Sequence, residues 1–255
     1  MLGTNLIEIK NFHVSYGKKL VLKNLSFHVK AKECLTLLGE SGVGKTTLLR
    51  CIIGLKRPTN GEIFVEGENV VEMDEEKLLA VRKKVAYAFQ NGALFDSMTV
   101  FENLALPLTE HTQLSFQTIK KRVKKELEEF DLQGTEKLYP SELSGGMKKR
   151  VGIARCMMLK PKVILYDEPT VSLDPYNTAN LVKTMLKLKK KGTTSILVTH
   201  NMSVAMQISD RIALLSEGKI VAIGTPETIE KDYNVLLKNF MKGIKGGLSY
   251  EKISH

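Results

Sequence analysis

The segment GESGVGKT at 39–46 spells GxxxxGK[ST], with ECLTLLG before it and KTTLLRCIIG after it. A strand that breaks into glycines and then opens a helix is the setting in which this spacing binds phosphate. Glycines at 39, 42 and 44 let the backbone wrap a phosphate with N–H groups turned inward, and the helix start adds the positive end of its dipole. The candidate binding stretch is Gly39, Glu40, Ser41, Gly42, Val43, Gly44, Lys45, Thr46 and Thr47. Lys45 is expected to reach the β- and γ-phosphates of a nucleoside triphosphate, and the Thr46 hydroxyl to ligate Mg2+.

Such a loop needs an acidic partner, and VILYDEP supplies one. Four apolar residues precede Asp167 and Glu168 at the carboxyl end of a strand, where α/β sheets place ligands. Asp167 is expected to hold Mg2+, directly or through water. Glu168 is positioned to polarise the attacking water as general base. His200 closes the apolar run TSILVTH, and Gln90 closes VAYAFQ, in the same manner. His200 is expected at the γ-phosphate, Gln90 at Mg2+ or the lytic water. Alone, a DE pair at a strand end is a turn and a terminal histidine faces solvent; it is the set that argues for a site.

A second glycine pair lies about a hundred residues after the first. In LSGGMKKR, Ser144, Gly145 and Gly146 open a helix that continues as KKRVGIARCMM. The N–H groups of that first turn form a second anion site. One nucleotide site is already complete, so two chains set head to tail would use both, each ATP joining the subunits.

The elements that must carry these groups follow from periodicity. LIEIKNFHVSYG and LVLKNLSFHV alternate apolar and polar residues around a turn, which reads as an antiparallel hairpin over 6–29. GEIFVEGENV reads as a second hairpin, 74–84 as a helix and VAYAF (85–89) as a buried strand. From 100 to 160 the pattern is helical with no strand. VILYD then returns to a strand, helix 175–191 leads to TSILVT, and RIALLS and KIVAIG follow. The class is α/β with a parallel core sheet and a helical insertion.

Composition excludes several classes. The 255 residues are 43% hydrophobic and 26% charged, ordinary values for a globular chain. No apolar run nears the ~18 residues of a membrane span, and the N-terminus lacks the pattern of a secretory signal. Cys34, Cys51 and Cys156 lie far apart, which argues against disulfides or a zinc site. The net charge of +10 is spread over KKRVKK (120–125), KKR (148–150) and KLKKK (187–191). These read as solvated helix faces, with attraction to an anionic membrane left open. No aromatics are interleaved as a base-stacking surface needs, and no nucleic acid is expected.

GESGVGKT, Gln90, LSGG, VILYDEP, SLD at 172–174 and His200 stand in the order and spacing of the ATP-binding cassette of ABC transporters, which this chain resembles over 6–232. The resemblance implies a P-loop ABC cassette with a parallel core sheet, an N-terminal antiparallel β subdomain and an inserted helical subdomain at about 100–160. A tail follows at 233–255. It implies ATP and Mg2+ as cofactors and a homodimer sandwiching two ATP. Tyr16 in VSYG resembles the family's aromatic platform for adenine, and Asp174 the residue that links the two sites across the dimer. Two positions depart: the signature carries Met147 where the family has Gln, and TVSLD replaces TSGLD or TSALD. Neither is a group that performs chemistry, so hydrolysis is still expected.

FQNGALFDSMTVFENLALPL at 89–108 is more than half apolar, yet too broken to be a regular core helix. In the family, this region receives a coupling helix of the membrane subunit, so Leu94, Phe95, Met98 and Phe101 are expected to seat the permease. Val100, Leu104 and Leu106 follow helical spacing and are expected to pack within the lobe. GALF, PLTEHTQL and Met147 resemble the ATPase of the Mla/Mce-type phospholipid transport systems, which maintain outer-membrane lipid asymmetry. That implies an integral permease, a periplasmic MCE lipid-binding protein and a small STAS-domain protein as partners. It also implies a peripheral place on the cytoplasmic face of the inner membrane. Two rivals stand beside it. One is the ATPase of another importer, for amino acids or metal chelates, whose versions with C-terminal regulatory domains are longer. The other is a cassette working on nucleic acid, which would carry a second cassette or a coiled-coil insertion.

Overall fold

The computed structural model describes residues 5–233 with Leu237 and Lys238, so most of the expected tail lies outside the described residues. The chain begins with β1 (Asn5–Tyr16), β2 (Lys19–Lys30), β3 (Cys34–Gly39), α1 (Lys45–Ile52), β4 (Asn60–Val65) and β5 (Glu68–Asn69). Next come α2 (Glu75–Lys84), β6 (Val85–Ala88), α3 (Val100–His111), α4 (Phe116–Glu129), α5 (Gly145–Met157) and β7 (Val163–Asp167). It closes with α6 (Pro175–Lys190), β8 (Thr194–Thr199), α7 (Met202–Ile208), β9 (Arg211–Ser216), β10 (Lys219–Gly224) and α8 (Pro226–Asp232). Two compact units result: residues up to Asp74 together with those from Ile196 onward, and Glu75–Ser195.

In the first unit, β1 and β2 form the expected hairpin, and β4 and β5 extend it in the order β2-β1-β4-β5. The buried set of β1 changes parity, from Ile7 and Ile9 to Phe12 and Val14. A register shift between Ile9 and Phe12, with Asn11 at φ 45°, accounts for it. One extra residue restores the apolar side chains to the buried face. β3 lies parallel to β9, and β10 returns antiparallel on β9. Leu38, Ile212, Leu214 and Ala222 from these strands pack with Ala205 of α7 and Ile229 of α8. The buried polar groups at this end are paired: Ser209 Oγ donates to Thr36 Oγ1 at 2.6 Å, and Arg211 meets Glu33 at 3.0 Å.

The second unit holds the parallel pair β6–β7, in register Tyr87↔Leu165 and Ala88↔Tyr166. Between these strands lie α3, α4 and α5, with no strand among the described residues from 100 to 157. The irregular part of the 89–108 stretch is confined to its first eleven residues. After it, α3 starts on a capping box in which Thr99 and Glu102 satisfy each other's backbone N–H groups, and it runs on through Pro107. An interior proline costs about 3 kcal/mol, while burying an aliphatic side chain returns ~1.5–3 kcal/mol. Full burial of Val100, Leu104 and Leu108 therefore outweighs it. Leu106, expected to pack inside, is only half-buried.

α4 buries Ile119, Val123 and Leu127 at four-residue spacing and turns Lys120, Lys121, Lys124 and Lys125 to solvent, the face anticipated for KKRVKK. The KKR cluster differs. Lys149 donates to the Val171 carbonyl, and Arg150 to the Phe130 and Asp131 carbonyls at 3.0 and 3.1 Å. These cations tie loops to α5.

Burial, and next the neighbouring Glu129, push the Glu126 carboxyl up to about 7, while Lys191, Lys125 and Lys160 pull the other way. The folded chain thus holds this proton where the unfolded chain, with an ordinary carboxyl, has released it. Its contribution is present at low pH, is lost as pH rises through the range from about 4.5 to 7, and levels off above. Glu126→Gln should flatten that slope, giving up to ~3 kcal/mol more stability at pH 8 and little change at pH 4.5. Thermal melting from pH 4.5 to 8 checks it. Parallel curves for the two proteins would show that Glu126 ionises normally.

Candidate active site

In the first unit the phosphate-loop residues lie between β3 and α1. Gly42 and Gly44 adopt φ 82° and 107°, a left-handed backbone that side chains disfavour, as a loop wrapping an anion requires. Gly39 has another reason for being glycine. A Cβ there would lie 2.5 Å from the Leu215 carbonyl oxygen, so it permits the approach of β9. Lys45 is buried, and its ammonium donates to the Gly39 and Glu40 carbonyls at 2.7 and 3.0 Å. Those bonds fold the charge back over the loop, where phosphate oxygens would meet it. Ser41 and Gly42 are exposed, and Glu40, Val43, Thr46 and Thr47 are half-buried.

Tyr16 joins this group. Its hydroxyl lies 3.1 Å from Thr47 Oγ1, and the residue is 49% exposed. Lys56 Nζ sits 4.0 Å from the ring centroid, a cation–π contact that no motif announced. His200 follows the wholly buried β8 and is exposed, while Thr199 Oγ1 accepts the Asn201 N–H at 3.0 Å where α7 begins.

In the second unit, the five residues of β7 are buried and deliver Asp167 and Glu168 at its carboxyl end. The Tyr87 hydroxyl donates to Asp167 Oδ2 at 2.7 Å. Glu168 is buried, with φ 47°. That conformation is rare without glycine and is kept only where the surroundings hold it. One support is Lys149, tethered to Val171 three residues on. Burial lowers the Lys149 pKa, and the Glu168 charge opposes the shift. Gln90 does not end β6 as expected: the strand stops at Ala88, and Gln90 lies exposed in the turn beyond it.

Ser144 caps α5, its Oγ accepting the Met147 N–H at 3.3 Å, with Gly145 exposed beside it. Gly146 is buried against the Asn177 side chain, so close that a Cβ would collide with it. Asn177 in turn donates to Asp174 from its backbone at 2.9 Å and from its amide at 2.5 Å. Those bonds hold the Asp174 carboxyl below its usual range. The second signature glycine and Asp174 thus meet a common residue within one chain, a packing relation that two separate motifs did not disclose.

The four apolar residues expected to form one seat divide. Leu94 and Met98 are half-buried, Phe95 is 49% exposed, and Phe101 lies on α3 with its ring 6.0 Å from that of Phe116. The loop is braced from within. Asn103, fully buried, accepts the Phe95 N–H at 2.9 Å and donates to the carbonyls of Phe95, Met98 and Thr99. Arg155 reaches the Ala93 carbonyl at 2.8 Å and lies 5.5 Å from the Phe95 ring centroid. Sequence reasoning missed both braces, since nothing in their spacing distinguishes them from surface residues.

The pattern of the ABC transporter family matches residues 22–171. The chain belongs to that family. It is an ATP-binding cassette and an ATPase. The cassette is 39% identical over 244 residues to MlaF, the intermembrane phospholipid transport system ATP-binding protein of Escherichia coli K12, covering 95% of this chain and 91% of that one. MetN, the methionine import ATP-binding protein of Carboxydothermus hydrogenoformans, is 43% identical over 223 residues, covering 86% of this chain and 66% of its own. Among solved structures, a dimeric ATP-binding cassette in a post-hydrolysis state with ADP and Pi matches at TM-score 0.79 and 31% identity, over 86% of this chain and 98% of that one. The cassette cbiO1 of Clostridium perfringens, part of the cbiONQ complex, matches at 0.82 and 26%, over 93% and 95%. The α/β class and the cassette architecture expected from the sequence are those of these relatives. No helix among the described residues is long and apolar enough to cross a membrane.

Proposed function

We propose that this cassette is the ATP-hydrolysing subunit of a phospholipid transporter working between inner and outer membranes, where it maintains lipid asymmetry. The observation that carries the reading is the likeness to MlaF, which runs through 95% of the chain and 91% of the relative. Lys45 neutralises phosphate charge, Tyr16 stacks on adenine, and Glu168 is the general base, with His200 at the γ-phosphate. The Asp167 carboxylate, the Thr46 hydroxyl and the Gln90 amide are each an oxygen donor of the kind Mg2+ takes beside substrate phosphates. When bound, the ion draws charge from the phosphates. Ser144, Gly145, Gly146 and Asp174 serve the nucleotide of a second copy of the chain. An integral permease, a periplasmic MCE lipid-binding protein and a small STAS-domain protein complete the assembly, with the cassette peripheral on the cytoplasmic face of the inner membrane.

A second reading rests on the 43% identity to MetN: an ATPase for amino-acid import. Both readings require a membrane partner, whereas a cassette acting on nucleic acid does not. Affinity purification of the tagged chain from its native membrane separates transport from action on nucleic acid. Detergent-dependent recovery of an integral membrane protein is expected; recovery abolished by nuclease would overturn the transport reading.

The braced loop gives a sharper expectation. Phe95 is half exposed and its backbone is held by Asn103, independently of its ring. Phe95→Asp therefore places a charge at a wet surface beside the Arg155 guanidinium, and should leave the melting temperature and ATP binding near parental values. In a docked complex the same carboxylate loses its water, which Arg155 offsets only in part, and the apolar ring is gone, at a cost of ~2 kcal/mol or more. The variant should fail to co-purify with its permease. Unfolding of the isolated variant would make Phe95 a core residue, and normal assembly would place the docking seat elsewhere.

A further inference from the structure

We infer that Tyr87 is the residue that positions Asp167 for its metal ion. This rests on the proposal that Asp167 holds Mg2+, and goes beyond it by naming what aligns the carboxylate. Tyr87 lies in the middle of β6, and its partner in register on β7 is Leu165, two residues before Asp167. The phenol thus crosses from one strand to the carboxyl end of the next. Both side chains are buried, Tyr87 8% and Asp167 4% exposed, and the hydroxyl donates to Oδ2 at 2.7 Å. The Tyr87 ring is itself set by Phe89, at 4.4 Å between centroids.

The choice of a phenol has physical content. A buried carboxylate needs its hydrogen bonds made, and a lysine or arginine would make them while opposing a nearby cation. A tyrosine hydroxyl gives one directional bond and adds no charge. It restrains rotation of the Asp167 carboxylate without lowering the negative potential that attracts the ion. Groups that orient a metal-binding carboxylate in this way typically change metal affinity by ~10–100-fold when removed. The hydroxyl is buried and donates to Asp167 Oδ2, so its effect should appear in the metal-dependent part of binding.

Tyr87→Phe removes the hydroxyl and keeps the ring against Phe89. The test compares the dissociation constant of a fluorescent ATP analogue in excess EDTA with that in saturating Mg2+. The ratio reports how strongly the ion and nucleotide reinforce each other. Tyr87→Phe should leave the EDTA value unchanged and reduce the ratio by ~10-fold. A structural defect would shift both values together, which would overturn the inference, as would an unchanged ratio. Asp167→Asn, measured in parallel, distinguishes the two claims. If it lowers the ratio and Tyr87→Phe does not, the positioning role falls and the Asp167 assignment stands. If neither lowers it, both fall.

Discussion

Glu168→Gln should bind ATP as the parent does and turn it over at least ~100-fold more slowly in the assembled complex. A general base contributes about 10²–10⁴ in rate, and 100-fold corresponds to ~2.7 kcal/mol of barrier. The substitution suits this site. Glu168 is buried, so an amide of equal size fills its space, and the left-handed backbone at φ 47° is borne alike by Glu and Gln. Lys149 remains tethered to Val171, so the segment after the strand keeps its path. What disappears is the proton acceptor. ATP that is bound and not cleaved should also hold two chains together, so that light scattering with ATP reports twice the monomer mass. Turnover at the parental rate would remove Glu168 from the role of base.

The candidate site was legible in the sequence because its groups are contiguous. GESGVGKT and DEP each put several functional atoms within one turn of chain, at the ends of apolar runs whose length already marks them as strands. What supports those groups was not legible. Tyr87 and Asp167 are 80 residues apart, and only the parallel pairing of β6 with β7 brings them together. Neither strand carries a local mark of its neighbour. Arg155 and the loop it braces, 62 residues away, meet for the same kind of reason. Gly39 was read as a phosphate-loop glycine, and the Leu215 carbonyl shows that strand packing alone also demands it. The KKR cluster looked like a solvated face, because composition does not say which cations reach carbonyls of folded-back loops.

Lys45→Ala and Ser144→Arg should fail in different ways, the first at ATP binding and the second at hydrolysis. Lys45 is buried with its ammonium over the Gly39 and Glu40 carbonyls, so its loss removes the charge proposed to face the phosphates within the same chain. ATP affinity should fall by at least ~10-fold, the scale of one charge-assisted contact of ~1.5–3 kcal/mol. Ser144 is exposed at the start of α5, on the unit that does not carry the phosphate loop. Ser144→Arg should leave ATP affinity of the isolated chain unchanged while abolishing measurable hydrolysis. A bulky cation there would block the nucleotide held by a second copy. Mixing the two variants should then restore activity, because one of the two sites in the mixed dimer has a sound Lys45 and a sound Ser144. Equal loss of ATP affinity in both variants, with no recovery on mixing, would mean that each chain hydrolyses alone.

The claim at the centre of this account is that ATP hydrolysed by this cassette moves phospholipid. The complex purified on the tagged chain, reconstituted into vesicles, allows a direct measurement: ATP-dependent transfer of labelled phospholipid, with uptake of labelled methionine followed in the same preparation. Phospholipid should move only with ATP, and should stop with Glu168→Gln, while methionine does not accumulate. ATP-driven methionine uptake with no movement of phospholipid would contradict the account.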